Sequence, residues 1–219
     1  MCYINHFSDM GTAVPTRSDW KDGFVFVANQ LSLDFLNTQL VVDGAPLELL
    51  PDIRSLVRWL AAASLIPPQQ TEEVSRCWEN RPGVISFLDQ LRGFRDRLRQ
   101  AVLQFEAGEP LKAEFIEELN RHLAQHPVAS EMWQVSGRLE RRERFDPQVP
   151  EDSFGPLANA AANLFASVDS ARVRQCESCA IHFYDTSKKG TRRWCSMQMC
   201  GNKYKVAAYG RRQRLRKAK

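Results

Sequence analysis

Cys176-Glu-Ser-Cys179, continued fifteen residues later by Cys195-Ser-Met-Gln-Met-Cys200, is the stretch on which the reading of this chain turns. A two-residue gap lets both thiolates of a tight turn converge on one tetrahedral ion, and the distant second pair closes the site. Four protein sulfurs leave no open coordination position, so the pattern is that of one structural Zn2+ and not of a catalytic metal. A redox dithiol at Cys176 and Cys179 is the rival. It would normally follow the first strand of a βαβ unit, and that context is missing. His182 is the only competing ligand nearby; four thiolates already saturate the site, which leaves it a hydrogen-bonding or surface role. Cys2 and Cys77 lie outside ligand spacing and read as a terminal thiol and a helix-packing thiol.

The metal module is strongly basic. Residues 172–219 hold 14 Lys and Arg against Glu177 and Asp185, a net of +12. The rest of the chain holds 16 basic and 24 acidic side chains, a net of −8, and the two recover the overall +4. A basic block beside an acidic body is the layout of a polyanion-binding appendage, with nucleic acid the expected polyanion.

At 219 residues the chain is long enough for one sizeable core plus a small module. A hydrophobic content of 43% and a charged content of 26% are ordinary for a globular protein. No stretch approaches the roughly 20 apolar residues of a membrane span. The first 23 residues lack the apolar core of a secretory signal, so a reducing, cytoplasmic setting is expected, where clustered cysteines bind metal more often than they form disulfides.

Periodicity predicts a mainly α fold with minor β. Phe24 to Ala28 is a short β-prone run, and Leu31, Phe35 and Leu36 recur at helical spacing over 30–38. Gly44 and Pro46 mark a turn. Asp52 caps an amphipathic helix carrying Ile53, Leu56, Val57 and Leu60, which ends before Pro67-Pro68. A helix from Thr71 stops at Arg81-Pro82-Gly83. The longest periodic segment follows, with Val84, Phe87, Leu88, Leu91, Phe94, Leu98 and Val102 on one face and Arg92, Asp96 and Arg99 on the other. Leu111, Phe115, Leu119 and Leu123 describe a fifth helix. Between 128 and 145 the period changes toward two, with Val135-Ser-Gly-Arg138 as a hairpin turn. Leu157 to Val168 returns to helix.

Within the metal module, Ile181 to Tyr184 reads as a strand, Lys188-Lys-Gly190 as its turn and Arg192 to Trp194 as the returning strand. Cys200-Gly-Asn202 would then open a final helix capped by Asn202. A knuckle, a hairpin and a helix that begins at the last ligand make a small treble-clef-like zinc finger. The organisation expected is therefore a poorly ordered leader over 1–23, a helical body over 24–171, and a finger with a basic C-terminal helix or tail over 172–219.

The candidate nucleic-acid contacts are Lys188, Lys189, Arg192 and Arg193 around the hairpin, and Lys203, Lys205, Arg211, Arg212, Arg214 and Arg216 along the last helix and tail. Lys205, Tyr209, Arg212 and Arg216 share one helical face. With no acid after Asp185, phosphate contact is preferred over simple solvation, and such contacts position a protein without reading sequence. Asp34, Asn37 and Thr38 line up on the otherwise apolar first helix. They read as an effector-binding trio or, preferably, as structural groups that cap backbone or pair with an arginine such as Arg58 or Arg95. There is no phosphate-cradling glycine loop, no H-E-x-x-H and no serine elbow, so an enzyme is not expected.

The run Trp194-Cys-Ser-Met-Gln-Met-Cys-Gly-Asn-Lys203 behind a C-x2-C closely resembles the CGNR zinc finger. Leu31-Ser-Leu-Asp-Phe-Leu-Asn-Thr38, followed by Trp59-Leu-Ala-Ala-Ala-Ser-Leu65 and Ala158-Asn-Ala-Ala-Ala-Asn-Leu164, resembles the ABATE domain that precedes this finger in bacterial proteins. The resemblance spans about residues 24 to 219. It implies a stress-related transcription regulator with an ABATE-like helical body and a DNA-binding finger. One departure stands out: the family motif ends in arginine where this chain has Lys203, which keeps the charge and loses the planar fork that grips phosphate or guanine bidentately.

The function expected is thus zinc-dependent DNA binding and transcription regulation, with the body supplying homodimerisation, sensing of a small-molecule effector, or both. Two rivals stay open, an RNA- or ribosome-associated binder and a zinc-finger protein–protein adaptor.

Overall fold

A computed structural model of the chain describes residues 19–42 and 44–202. Among them are six α-helices and four two-stranded antiparallel hairpins, so the mainly α class with minor β holds. Of the leader expected over 1–23, residues 1–18 lie outside the described residues.

The long helix α4 (Val84–Glu106, 23 residues) is the axis of the body, about 35 Å from end to end. Its apolar positions fall on one buried face: Phe87, Leu88, Leu91, Phe94, Leu98, Ala101 and Val102. Phe94 joins three other elements. Its ring lies 6.4 Å from Phe35 of α1 (Leu31–Leu36), 6.3 Å from Phe115 of α5 (Ala113–Gln125) and 5.8 Å, edge-on, from Phe154 of α6 (Phe154–Ser167). Truncating so central a ring to alanine costs about 3–5 kcal/mol in comparable cores. Helix α2 (Ile53–Ala62) is capped as its sequence predicts, with Asp52 Oδ1 accepting from Ser55 N at 2.8 Å. Helix α3 (Thr71–Glu79) packs beside it through Val74 and Trp78, and Cys77 lies half-buried against the core. Helix α6 can approach because residue 155 is glycine; a Cβ there would sit 2.5 Å from the His126 carbonyl oxygen.

The face of α4 opposite the apolar one also holds the body together. Arg92 Nη2 donates to the carbonyls of Leu50 and Pro51, both at 2.7 Å, and Arg99 Nη2 donates to Leu36 O at 3.0 Å. Between them Arg95 is fully buried, holding Glu48 bidentately and Thr38 Oγ1 at 2.8 Å. These three arginines clasp the chain from α1 to α2. That clasp explains a hairpin the sequence showed only as a turn: β3 (Gln39–Val42) pairs with β4 (Ala45–Glu48), its far end held by the Arg95–Glu48 pair. The other hairpins are β1 (Trp20–Lys21) with β2 (Phe24–Val25), β5 (Ala129–Val135) with β6 (Arg138–Arg144), and β7 (Val173–Gln175) with β8 (His182–Tyr184). The β5–β6 turn is the expected Ser136-Gly137, with φ of 49° and 79°.

No described helix is long and apolar enough to cross a membrane. Val173, Ile181 and Phe183 of the last hairpin belong to the same buried cluster as the helical body.

Candidate metal centre

The C-terminal module is built around the β7–β8 hairpin. Its connection, 176–181, is a tight knuckle: Cys176 N donates to Ile181 O at 2.8 Å and Ala180 N donates to Cys176 O at 3.2 Å. Ala180 closes the turn in the left-handed region, φ 59°. This geometry turns Cys176 and Cys179 toward one point.

The second pair arrives differently from expectation. β8 pairs with 173–175 and not with 192–194, so the predicted returning strand is corrected. The reason is Asp185, whose fully buried carboxylate accepts from Ser187 N at 2.8 Å and Arg192 N at 2.7 Å. It draws 186–192 into a compact loop instead of a hairpin. Burial works to raise this carboxyl's pKa, and the bonds from the Ser187 and Arg192 side of the loop overcome it and hold the group below its ordinary value. A single backbone bond, Glu177 N to Arg193 O at 3.2 Å, lays the returning segment beside the knuckle. A short helical turn, not expected from the sequence, leads up to Asn202. It spans Met197–Gly201 and is capped by Ser196, whose Oγ accepts from Gln198 N and Met199 N; the final helix expected beyond Asn202 lies outside the described residues. Cys195 thus stands just before the turn and Cys200 inside it.

The four sulfurs converge. Cys179 Sγ is 3.5 Å from Cys195 Sγ, Cys195 Sγ is 3.6 Å from Cys200 Sγ, and all four lie within 4.8 Å of one another. Sulfurs at the corners of a zinc tetrahedron with bonds of about 2.3 Å are ~3.8 Å apart. Donor type, number and spacing therefore fit one structural zinc ion. Cys176, Cys195 and Cys200 are buried and Cys179 half-buried, with Trp194 and Met199 packed at the edge of the same cluster. The neighbouring Cys179 and Cys195 thiols, with backbone N–H groups of Cys195 and Ser178, hold Cys176 far below the usual thiol range. Cys179, hydrogen-bonded to that thiolate, is pushed up to about 12, and Cys195 is pushed up by the same neighbours. A divalent cation reverses this, because each ligand sulfur is then favoured as thiolate.

The expected nucleic-acid residues fall into three groups. Lys188 and Lys189 sit exposed at the tip of the 186–192 loop, and no described carboxylate forms an ion pair with either. Arg192 and Arg193 are engaged within the finger: Arg192 lies 4.7 Å over the Phe183 ring and donates to Trp194 O at 2.8 Å, while Arg193 pairs with Glu177 and covers Trp194. Lys203, Lys205, Arg211, Arg212, Arg214 and Arg216, with the rest of the expected helix and tail, lie outside the described residues.

Asp34, Asn37 and Thr38 are buried, and each bonds inside the protein. Asp34 Oδ1 accepts from Ala28 N at 3.0 Å and Thr38 Oγ1 donates to Phe35 O at 2.6 Å. Asn37 reaches the finger: its Nδ2 donates to His182 O at 2.9 Å and its Oδ1 accepts from His182 N at 3.0 Å. Asn29 Nδ2 donates to Tyr184 O, and Tyr184 N donates to Ala28 O. Glu106 at the end of α4 meets His182 Nδ1 at 3.1 Å. Nothing in residue spacing announces this junction, since its side-chain partners are 76 to 155 residues apart. Arg58, the other suggested partner of the trio, pairs with Asp22 instead. An opening of about 230 Å³ lies where body and finger meet, lined by Asp19, Phe26, Asn29, Arg192, Ser196 and Met197 among others.

Fold and site together define a helical protein that carries a four-cysteine structural zinc finger on its own core. The chain belongs to the ABATE family, described as "Putative stress-induced transcription regulator", whose model matches residues 29–168. The CGNR zinc finger model matches residues 172–213. A comparison with curated proteins gave no match.

Proposed function

We propose that the protein is a zinc-dependent DNA-binding transcription regulator, whose finger contacts DNA and whose helical body regulates or oligomerises it. The observation that carries this reading is the 186–192 loop. The metal knuckle and the buried Asp185 fix the loop, and its tip presents Lys188 and Lys189 without described counter-ions. The chain beyond it, to residue 219, adds further Lys and Arg and no acid. Zinc would be held by Cys176, Cys179, Cys195 and Cys200, and its part is structural: it fixes the knuckle and the helical turn, which have too little core to hold alone. The family membership supports a regulator. The test is duplex binding by the full zinc-loaded chain across a salt series. A phosphate binder loses affinity linearly in log salt with a slope of about −0.9 per neutralised phosphate on duplex DNA. No salt-dependent duplex binding at low ionic strength would sink the reading, and preference for structured RNA in competition would move it to that rival.

A further inference from the structure

The β5–β6 ribbon stands outside the body's core, and its two edges are unlike. β6 carries six charged residues in seven, Arg138, Glu140, Arg141, Arg142, Glu143 and Arg144, with only Leu139 between them. A row of charge of this kind blunts a strand edge against further pairing. β5 carries one, Glu131, and five of its seven residues are exposed, including Met132 and Trp133. Its one extensive neighbour among the described elements is β6. An isolated two-stranded ribbon is marginal in water.

The hydrogen-bonding direction follows from the turn. With Ser136-Gly137 as a two-residue loop, the flanking pair Val135–Arg138 uses its backbone groups inside the ribbon, and pairs alternate from there. Ser130, Met132 and Gln134 therefore turn their N–H and C=O groups outward along the β5 edge. These groups match those of an antiparallel copy of the same strand centred on Met132. Met132 then faces Met132, Ser130 faces Gln134, Ala129 faces Val135 and Glu131 faces Trp133. No like charges meet. Within one chain the Glu131 carboxylate accepts from the Trp133 indole at 3.3 Å and from Arg144 of β6 at 2.9 Å, so its charge is compensated inside the ribbon and an indole opposite it is compatible. The same operation on β6 would set Arg141 against itself and Arg138 against Arg144 twice, three like-charge contacts that its two Glu140–Arg142 contacts do not outnumber.

We infer that β5 is a homodimerisation edge, joining two copies into a four-stranded antiparallel sheet in the order β6–β5–β5–β6 about a twofold axis. The occupant is a second copy of this chain because the edge is self-complementary in hydrogen bonding and in charge, as an isologous contact requires. A strand-to-strand join of this kind belongs with the smaller interfaces, below about 1,200 Å², where weak, concentration-dependent association is found. The arginine rows of β6 end up on the outer rims, where they keep the sheet from growing further.

Sedimentation of the zinc-loaded full chain without DNA, across a roughly hundredfold concentration range, reads the dimer directly. Two edge variants test its place. Met132→Pro removes an N–H that the ribbon's own ladder does not use, and a proline is tolerated at such an edge position. Met132→Lys sets two charges against each other on the axis. Each should raise the dissociation constant at least tenfold, while Arg141→Ala on the other strand leaves it unchanged. A wild-type chain that stays monomeric throughout overturns the inference, and so does a dimer untouched by both edge variants. Loss of duplex affinity on Arg138→Ala with Arg141→Ala, in a chain that is monomeric, would make the ribbon a nucleic-acid arm and equally overturn it. Because the readout contains no DNA, its failure is separable from failure of DNA binding.

Discussion

Asn37 and His182 exchange two hydrogen bonds across 145 residues of sequence, the side-chain amide of a body helix completing the backbone of a finger strand. An amide in this orientation imitates a neighbouring strand: it gives one N–H and takes one, and both groups are buried. With Ala28, Asn29 and Glu106 alongside, β8 is docked on the body by its backbone as well as by Phe183.

Asn37→Ala removes both partners and leaves the His182 N–H and C=O unsatisfied in a dry site. Each such group costs about 1–3 kcal/mol, so a loss of about 2–6 kcal/mol in denaturant unfolding is expected. Zinc release to a chelating dye should also quicken, because the strand that holds the knuckle is no longer pinned. Unchanged stability would mean that water replaces the amide freely.

Cys179→Ser should abolish stoichiometric zinc, measured by elemental analysis of the purified chain. Because the finger's hairpin lies in the same core as α1 and α4, its loss should also lower the melting temperature of the body in calorimetry. A body transition at the wild-type temperature would show that the junction carries little energy.

Much of this arrangement was legible in the sequence, and the rest was hidden for definable reasons. Cysteine spacing named the ligands because a knuckle is a local device. Periodicity gave α4 because seven buried apolar residues recur on one face. It set Arg92 and Arg99 opposite the apolar face without showing what they hold, since a guanidinium on a long stem can reach backbone carbonyls that no periodicity records. The strand expected at 192–194 gave way because Asp185, a lone acid in a basic run, spends its carboxylate on two loop N–H groups. The turn at Met197–Gly201 went unseen for an equally local reason: the Ser196 hydroxyl reaches two of its orphan amides and caps it.

Glu48 and Arg95 set an acid limit on stability. Burial works to raise the Glu48 pKa, and the Arg95 hydrogen bonds and charge overcome it, leaving the carboxyl below its ordinary value. A lowered folded-state pKa means the pair's contribution is fully present above the unfolded glutamate value of about 4.3 and is lost as pH falls through the folded one. Glu48→Gln strands a buried guanidinium, for which about 3–5 kcal/mol is the usual loss. The variant's stability should then fall less steeply than the wild type's between about pH 5 and the acid transition, as followed by urea midpoints. Parallel curves would remove Glu48 from the acid limb.

Ala180 holds φ 59° at the end of the knuckle, a conformation that disfavours a side chain by roughly 1–2 kcal/mol. Ala180→Gly relieves that strain and gives part of it back as added freedom of the unfolded chain. A net gain of about 0.5–1 kcal/mol in unfolding and slower zinc loss to a chelator are expected. Faster loss would indicate that the Ala180 methyl packs usefully over the site.

Lys188 and Lys189 give the sharpest test of the proposed interface, because Arg192 and Arg193 already have partners inside the finger. If the loop tip meets phosphate, Lys188→Ala with Lys189→Ala should weaken duplex binding and reduce the log–log salt slope by about 0.9 for each phosphate no longer neutralised. Arg193→Ala should act otherwise. It frees Glu177 beside the knuckle, so its effect should be on finger stability and only modestly on the slope. The two outcomes separate a residue that touches DNA from one that shapes the finger. Should the double lysine variant keep the full slope, the loop tip is not where phosphate is met.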